Sequence, residues 1–395
     1  VDVGTSKVCT LLAEREEEDY FRILGVGIVR SKGMRKAMIT NLNDVAETVR
    51  ESVREAERTS GMHIDTAFIG ITGSHISSFN TRSRLSLSAD DQPVSDKDVK
   101  QLLEHARTIR MSAERELLHA LPHKIELDGT ARSEQPLGLI GSRLETDVHV
   151  ITAASSAVRN LIKGVRQAGI TTREVILQPL ASGEAILRPV EKDVGIAVVD
   201  IGAGTTDIAV FKDGSIYHTA AIPVAGFQVT RDLSLGLSLT YEEAEELKVK
   251  FASLKGSEQR NLTIAPDKEI SFDDMMDIIT ARVQETLQLV WVELGGDELS
   301  RLIPAGVVLT GGASKLPGMA ELATRVFRVP CRVGVPRNIT GMVDHLHDPA
   351  FATSVGLLHW GAKYAGKEMR SHHQPSPLTQ IWLKVKRRFW RGWWS

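Results

Sequence analysis

Two stretches of this chain place an acid, glycines and hydroxyls where phosphate binding needs them. The first is Val1-Asp2-Val3-Gly4-Thr5-Ser6-Lys7, and the second is Val199-Asp200-Ile201-Gly202-Ala203-Gly204-Thr205-Thr206-Asp207. In each, an apolar residue or strand runs into the acid and a second apolar strand leads out of the turn. Glycine lets backbone N–H groups approach a phosphate closely, Thr and Ser add hydroxyl donors, and an aspartate can hold Mg²⁺ through water. A third glycine turn, Gly311-Gly312-Ala313, follows the apolar run 307–309 and is expected to open a helix that offers flat backbone to a base or phosphate. A Rossmann site is excluded, because a strand rather than a helix follows Gly202-Ala203-Gly204, and no Gly-x₄-Gly-Lys loop occurs.

Elements that could position these groups follow from hydrophobic patterning. Strands are expected over 23–29 and 67–71, with a helix over 43–59 that carries Val45, Val49 and Val53 on one face and stops at Gly61. The order that emerges is βββαβ. From 74 to 148 the pattern changes to a strand with one wet face, a helix capped by Ser95 and Asp98, and strands over 117–127 and 143–151. This stretch reads as a small α+β unit set into a larger domain. The turns at Asp2 and Asp200 lie 198 residues apart in the same strand–turn–strand setting, which implies two related domains clasping one ligand. Val1 leaves too little strand ahead of the first turn, so residues are expected to be missing before it.

Composition narrows the function classes. With 395 residues, 42% hydrophobic and 25% charged, the chain is globular and large enough for two or three domains. Two cysteines, Cys9 and Cys331, supply neither a disulfide framework nor a Cys-rich metal site. The net charge is −2, yet the last eighteen residues hold five cations and no acid, so the body is distinctly acidic. An acidic body argues against nucleic acid as a partner.

The last eighteen residues form a separate device. Leu378, Trp382, Val385, Phe389 and Trp393 fall at helical spacing, Ile381 and Trp390 widen the apolar stripe, and Lys384, Arg387, Arg388 and Arg391 lie mostly opposite. Five charges forbid spanning a bilayer, so the expectation is a helix lying in the interface of an anionic leaflet, with Lys386 and Arg387 among the cations that meet headgroups. Residues 366–377, with Ser371, His372, His373, Pro375 and Pro377, read as its linker.

Together the three turns resemble those of the actin-like ATPase superfamily. Within it the chain resembles the bacterial cell-division FtsA family almost end to end, through Val1 to Val8, the Asp200 loop, Leu309 to Ala313 and Ser354-Val355-Gly356-Leu357-Leu358. The inserted unit, with His119 to Pro122 and Pro136-Leu137-Gly138, resembles that family's extra subdomain, and the tail resembles its membrane-targeting helix.

The resemblance implies an α/β fold of duplicated actin-like (ribonuclease-H-like) domains around a nucleotide cleft. Residues 1–75, 151–194 and 336–365 would form the first domain and 76–150 the insert. Residues 195–230 and 301–335 would form the inner part of the second domain, and 231–300 its outer part. ATP and Mg²⁺ are implied in the cleft. Asp2, Gly4, Thr5, Ser6 and Lys7 would form one phosphate loop and Asp200, Gly202, Gly204, Thr205 and Thr206 the other, with Asp2 and Asp200 holding Mg²⁺ through water. Gly311, Gly312 and Ala313 would face adenosine, and Glu245 and Lys248 would border ribose and adenine. Gln178 would orient water for at most weak hydrolysis.

The resemblance also implies partners: the C-terminal peptide of FtsZ near Arg282 and Glu285, further copies of this chain, anionic lipids and later division proteins. The place implied is the cytoplasmic side of the plasma membrane at the division site. Alternatives at this point are a pilus-assembly actin-like scaffold and a soluble sugar-kinase-like phosphotransferase.

Overall fold

A computed structural model describes residues 1–364 apart from 18, 88–91, 110, 130, 133–135, 256–260, 266–267, 297 and 299–300. The expected linker and membrane helix lie outside the described residues. The chain opens with β1 (Asp2–Val3), β2 (Lys7–Glu17) and β3 (Tyr20–Arg30), an antiparallel run that pairs Asp2 with Cys9 and Val3 with Val8. A short hairpin of β4 (Met34–Arg35) and β5 (Met38–Ile39) precedes α1 (Leu42–Ser60). The Asn41 side chain caps α1 by accepting from the N–H groups of Asn43 and Asp44, and Gly61 closes it at φ +68°. Val45, Val49 and Val53 are buried, as their spacing requires. β3 lies so close to α1 that a Cβ on Gly27 would meet the Ser52 carbonyl oxygen at 1.8 Å. β6 (Thr66–Ile71) then lies beside β1, where the Gly70 N–H donates to the Val1 carbonyl at 3.3 Å.

The inserted unit consists of β7 (Ser77–Ser86), α2 (Asp96–Arg107), β8 (Arg115–Leu127), β9 (Ala131–Arg132) and β10 (Arg143–Ala154). Its sheet has the order β7-β10-β8-β9, and Leu85, Leu102, Leu127 and Leu144 make a small core of its own. The chain returns through α3 (Ser155–Gln167) to β11 (Thr171–Leu177), which runs parallel to β6, and then through α4 (Gln178–Ile186) and α5 (Pro189–Val194).

The second sheet collects β12 (Ile196–Ile201), β13 (Thr206–Lys212) and β14 (Ser215–Ile222). Away from it the chain forms α6 (Gly226–Gly236), α7 (Tyr241–Phe251), the β15 (Asn261–Ala265) and β16 (Lys268–Ser271) ribbon, and α8 (Phe272–Glu293). β17 (Val307–Thr310), α9 (Met319–Phe327) and β18 (Cys331–Val333) complete the sheet in the order β14-β13-β12-β17-β18. β19 (Ile339–Gly341) pairs back onto β3, and α10 (Ala352–Tyr364) ends the described chain. Among the described residues no helix is long and apolar enough to cross a membrane.

The duplication holds residue by residue. In the second sheet Asp200 pairs with Asp207 and Ile201 with Thr206, the register of Asp2–Cys9 and Val3–Val8 displaced by 198 positions. The turns close with the same bond, Gly4 N–H to the Lys7 carbonyl and Gly202 N–H to the Thr205 carbonyl, each 3.0 Å. The third glycine turn differs from expectation: Gly312–Lys315 is a 3₁₀ turn, and α9 starts only at Met319. Pro317 lacks the N–H a continuing helix needs, and Gly318 takes a left-handed φ of +89°.

α4 and α10, from the two ends of the first domain, cross in contact. A Cβ on Gly356 would come within 1.8 Å of the Ala181 carbonyl oxygen, so only glycine fits this crossing. Gly356→Val is expected to lower stability by about 3 kcal/mol through overpacking, read as a lower midpoint in urea unfolding. An unchanged midpoint would show that the helices can part at no cost.

Candidate functional site

A cavity of about 410 Å³ opens between the two sheets, and both hairpin turns line it. β1 carries Asp2 and β12 carries Asp200 into its floor, where both are buried. Asp2 accepts hydrogen bonds from the Gln178 amide (3.1 Å) and the Ser354 hydroxyl (2.9 Å). Asp200 accepts from the hydroxyls of Ser182 (2.7 Å) and Thr353 (3.2 Å). Gln178 and Ser182 are one helical turn apart on α4, and Thr353 and Ser354 open α10, so each helix serves both acids. Asp207, one strand over, accepts from Thr205 (3.0 Å) and from Thr72 at the end of β6.

Burial raises the pKa of Asp2 and Asp200, and it lifts Asp207 to about 7. The hydroxyl and amide donors work against this rise, because they stabilise the charged carboxylates. Lys7 is near, but its ammonium donates to the Ala350 carbonyl at 2.6 Å and lies 4.2 Å above the Phe351 ring. Three carboxylates facing one cavity create a demand for a cation.

The opposite wall is apolar, built from Val229, Ala252, Ile279, Val283 and Met319. Gly311, Gly312 and Ala313 also line the cavity, next to the second acid, since a Cβ on Gly311 would stand 2.3 Å from the Asp200 carboxylate. Glu245 and Lys248 of α7 face the same space, joined at 2.6 Å, with the Lys248 ammonium also 2.8 Å from the Thr230 hydroxyl. One end of the cavity thus offers turn N–H groups and carboxylates, and the other an apolar slot with a polar rim. Such a site suits an anion joined to a flat apolar group.

Of the residues that the sequence put in the site, Thr206 alone does not line the cavity. Strand alternation turns it away, and its hydroxyl donates to the Val224 carbonyl at 2.7 Å. Arg282 and Glu285 lie elsewhere, on α8. There the Arg282 guanidinium binds the Asp232 carboxylate and reaches Glu285 at 2.6 Å, beside Leu235 and Ile278 in a shallow groove. Sequence reasoning passed over Thr72, Ser182, Asp207 and Thr353. Asp207 was visible as the acid that completes the second turn, and Ser182 as the hydroxyl one helical turn beyond Gln178. Thr72 and Thr353 carry no local signal.

A sequence model described as "Cell division protein FtsA" matches residues 197–356, and one described as "SHS2 domain inserted in FTSA" matches residues 73–152. The FtsA protein of Pseudomonas aeruginosa is 37% identical, covering 98% of this chain and 96% of its own length. That of Escherichia coli (strain K12) is 33% identical over 97% and 95%. Among solved structures, a PilM–PilN type IV pilus biogenesis complex superposes with a TM-score of 0.66 at 18% identity, covering 91% of this chain and 97% of the other. The ethanolamine utilization protein EutJ from Carboxydothermus hydrogenoformans gives 0.53 at 17% identity, over 91% and 88%.

Asp207 keeps its proton to about pH 7 when folded, whereas an unfolded aspartate releases it near pH 4. Between those values the folded state binds the extra proton, so this group's contribution to stability is lost as pH rises from about 4 to about 7. Asp207→Asn removes that term. The stability lost between pH 5 and pH 7.5 is expected to be smaller in the variant by on the order of 2 kcal/mol, read by urea unfolding at both pH values. Equal losses would mean that Asp207 titrates normally.

Proposed function

The chain belongs to the FtsA family of cell division proteins, with the actin-like fold, and on that premise we propose that it is an ATP-binding adaptor that tethers FtsZ filaments to the membrane. The observation that carries the nucleotide reading is the pair of register-matched turns that bring Asp2 and Asp200 to one cleft. Gly4, Thr5, Ser6 and Lys7 would take the phosphates from one side, and Gly202, Gly204 and Thr205 from the other. Gly311, Gly312 and Ala313 would lie against adenosine, with Glu245 and Lys248 at its ribose edge.

Asp2 and Asp200 would hold Mg²⁺ through its waters. The fit is good: the two carboxylates are buried together at the cleft floor, beside the turn that carries Thr205. Mg²⁺ characteristically keeps several waters. When bound, it supplies neutralisation between phosphate and carboxylate charge. Gln178, whose amide already reaches Asp2, would orient a water; an amide is a poor base, which suits slow turnover.

The groove beside Arg282 and Glu285 would take the C-terminal peptide of FtsZ, with the exposed Leu235 as an apolar contact. The inserted unit would mediate association with further copies, and the assembly would recruit later division proteins. The tail, 378–395, would lie on anionic lipid at the cytoplasmic face of the plasma membrane at the division site. Relatives at 33–37% identity named FtsA, together with the matched insert, favour this reading over a pilus scaffold, whose likeness at 18% identity speaks to fold alone.

Two measurements test it. Calorimetric titration with ATP and Mg²⁺ is expected to show one site, weakened more than about tenfold by Asp200→Asn, since one charge-assisted contact is worth about that factor. An unweakened variant would move the site out of the cleft. Flotation is expected to carry the full chain with anionic vesicles but not neutral ones, and to leave behind a chain ending at Gln374. Equal behaviour of both chains would rule out the tail as anchor.

A further inference from the structure

The β4–β5 hairpin has no part in the site described so far, yet its tip stands where the two turns meet. The Ala37 N–H donates to the Thr5 hydroxyl at 3.0 Å, and Ala37 lines the cleft. On the other side, a Cβ on Gly204 would lie 3.0 Å from the Lys36 Cα and 2.7 Å from the Thr5 hydroxyl oxygen. The tip therefore touches the first-domain turn and the second-domain turn at once.

Its backbone is strained: Lys36 and Ala37 are both left-handed, at φ +48° and +59°, and neither is glycine. Such residues persist where the surroundings over-determine them, and they gather at ligand clamps. The base of the hairpin is held firmly, because the Gly33 carbonyl accepts from the N–H groups of Thr40 (2.8 Å) and Asn41 (3.2 Å).

The second turn has two distinct ends. At Gly202 it meets Gly226, where a Cβ would lie 3.3 Å from the Gly202 carbonyl oxygen and 3.8 Å from the Lys248 ammonium. At Gly204 it meets Lys36. A nucleotide with its ribose beside Lys248 would run its phosphates along the turn toward the hairpin tip.

Charge points the same way. Lys7 is engaged by Ala350 and Phe351, and Lys248 by Glu245 and Thr230. The side chains of Arg35 and Lys36 are exposed, with no hydrogen bond or ion pair among the described residues.

We infer that Lys36, carried on the hairpin tip at the Thr5–Gly204 seam, contacts the terminal phosphate of a nucleoside triphosphate and so sets the preference for triphosphate over diphosphate. The inference rests on the cleft being the nucleotide site. A positioned ammonium contacting an anionic oxygen makes a charge-assisted hydrogen bond, and only the longer nucleotide would reach it.

The test is calorimetric titration of the full chain with ATP and with ADP, each with Mg²⁺. Lys36→Ala is expected to weaken ATP binding about tenfold and ADP binding less than about twofold, with Lys36→Arg restoring most of the loss. Lys36→Gly relieves the left-handed backbone while removing the same charge, so it keeps the test valid if the alanine variant folds poorly. Equal weakening of both nucleotides, or no change in either, overturns the inference while leaving the cleft reading intact. A native chain that takes up neither nucleotide overturns the cleft reading itself, and this inference with it.

Discussion

Placing Asp2, Asp200 and Asp207 in one cleft takes three carboxylates out of water, which is unfavourable for each charged form and worse for three together. The surrounding structure is built to hold them. Among the described residues, side chains of Gln178, Ser354, Ser182, Thr353, Thr205 and Thr72 donate to the three acids. These donors come from α4, from α10, from the second turn and from the end of β6. Among the described residues no cation is paired directly with any of the three. The partial compensation leaves Asp207 poised near neutrality and the cleft electrostatically incomplete.

That arrangement explains why the two domains are joined as they are. α4 and α10 must start at the cleft to deliver their polar groups, and they must cross closely for both to reach both acids. Gly356 against the Ala181 carbonyl permits the crossing, and the apolar faces of the helices merge into the first domain's core through Leu180, Ala181, Val355 and Leu357. Glu184, held by the buried Lys192 at 2.9 Å and by Lys363 at 3.2 Å, ties α4 to α5 and α10 at the far end of the crossing. Breaking one partner of such a pair strands a buried charge, so the tie resists separation.

The inserted unit is bound into the same framework. Ser78, Asn80 and His123 bond to the backbone carbonyls of Thr219, Tyr217 and Ile216 on β14, and His149 reaches the Thr219 hydroxyl at 2.9 Å. The insert thus covers the outer edge of the second sheet, which would otherwise offer unpaired backbone groups. Burial lowers the His149 pKa to about 3 and that of His119 to about 4, so both rings stay neutral; His149 serves as a hydrogen-bonding group within this contact, and His119 accepts from the Leu177 N–H at 3.1 Å on the first-domain side.

Much was legible in the sequence because it is written locally. Turn glycines, hydroxyls and the acid before them occupy consecutive positions, so both phosphate-type turns and their duplication could be read from one strand–turn–strand pattern. The valine spacing of α1 and the change of pattern at the insert were equally local. Where expectation and structure part, a local rule met a neighbour. Thr206 belongs to the motif but alternates away from the cavity, and Pro317 with Gly318 shortens the helix expected after Gly311. The depth of the site was decided by tertiary structure alone. Asp2 meets Gln178 across 176 positions and Ser354 across 352, and Thr72 meets Asp207 across 135. Hydrogen bonds over such separations exist only once the sheets have formed and the helices have crossed. A sequence can name the acids, but packing chooses the groups that hold them.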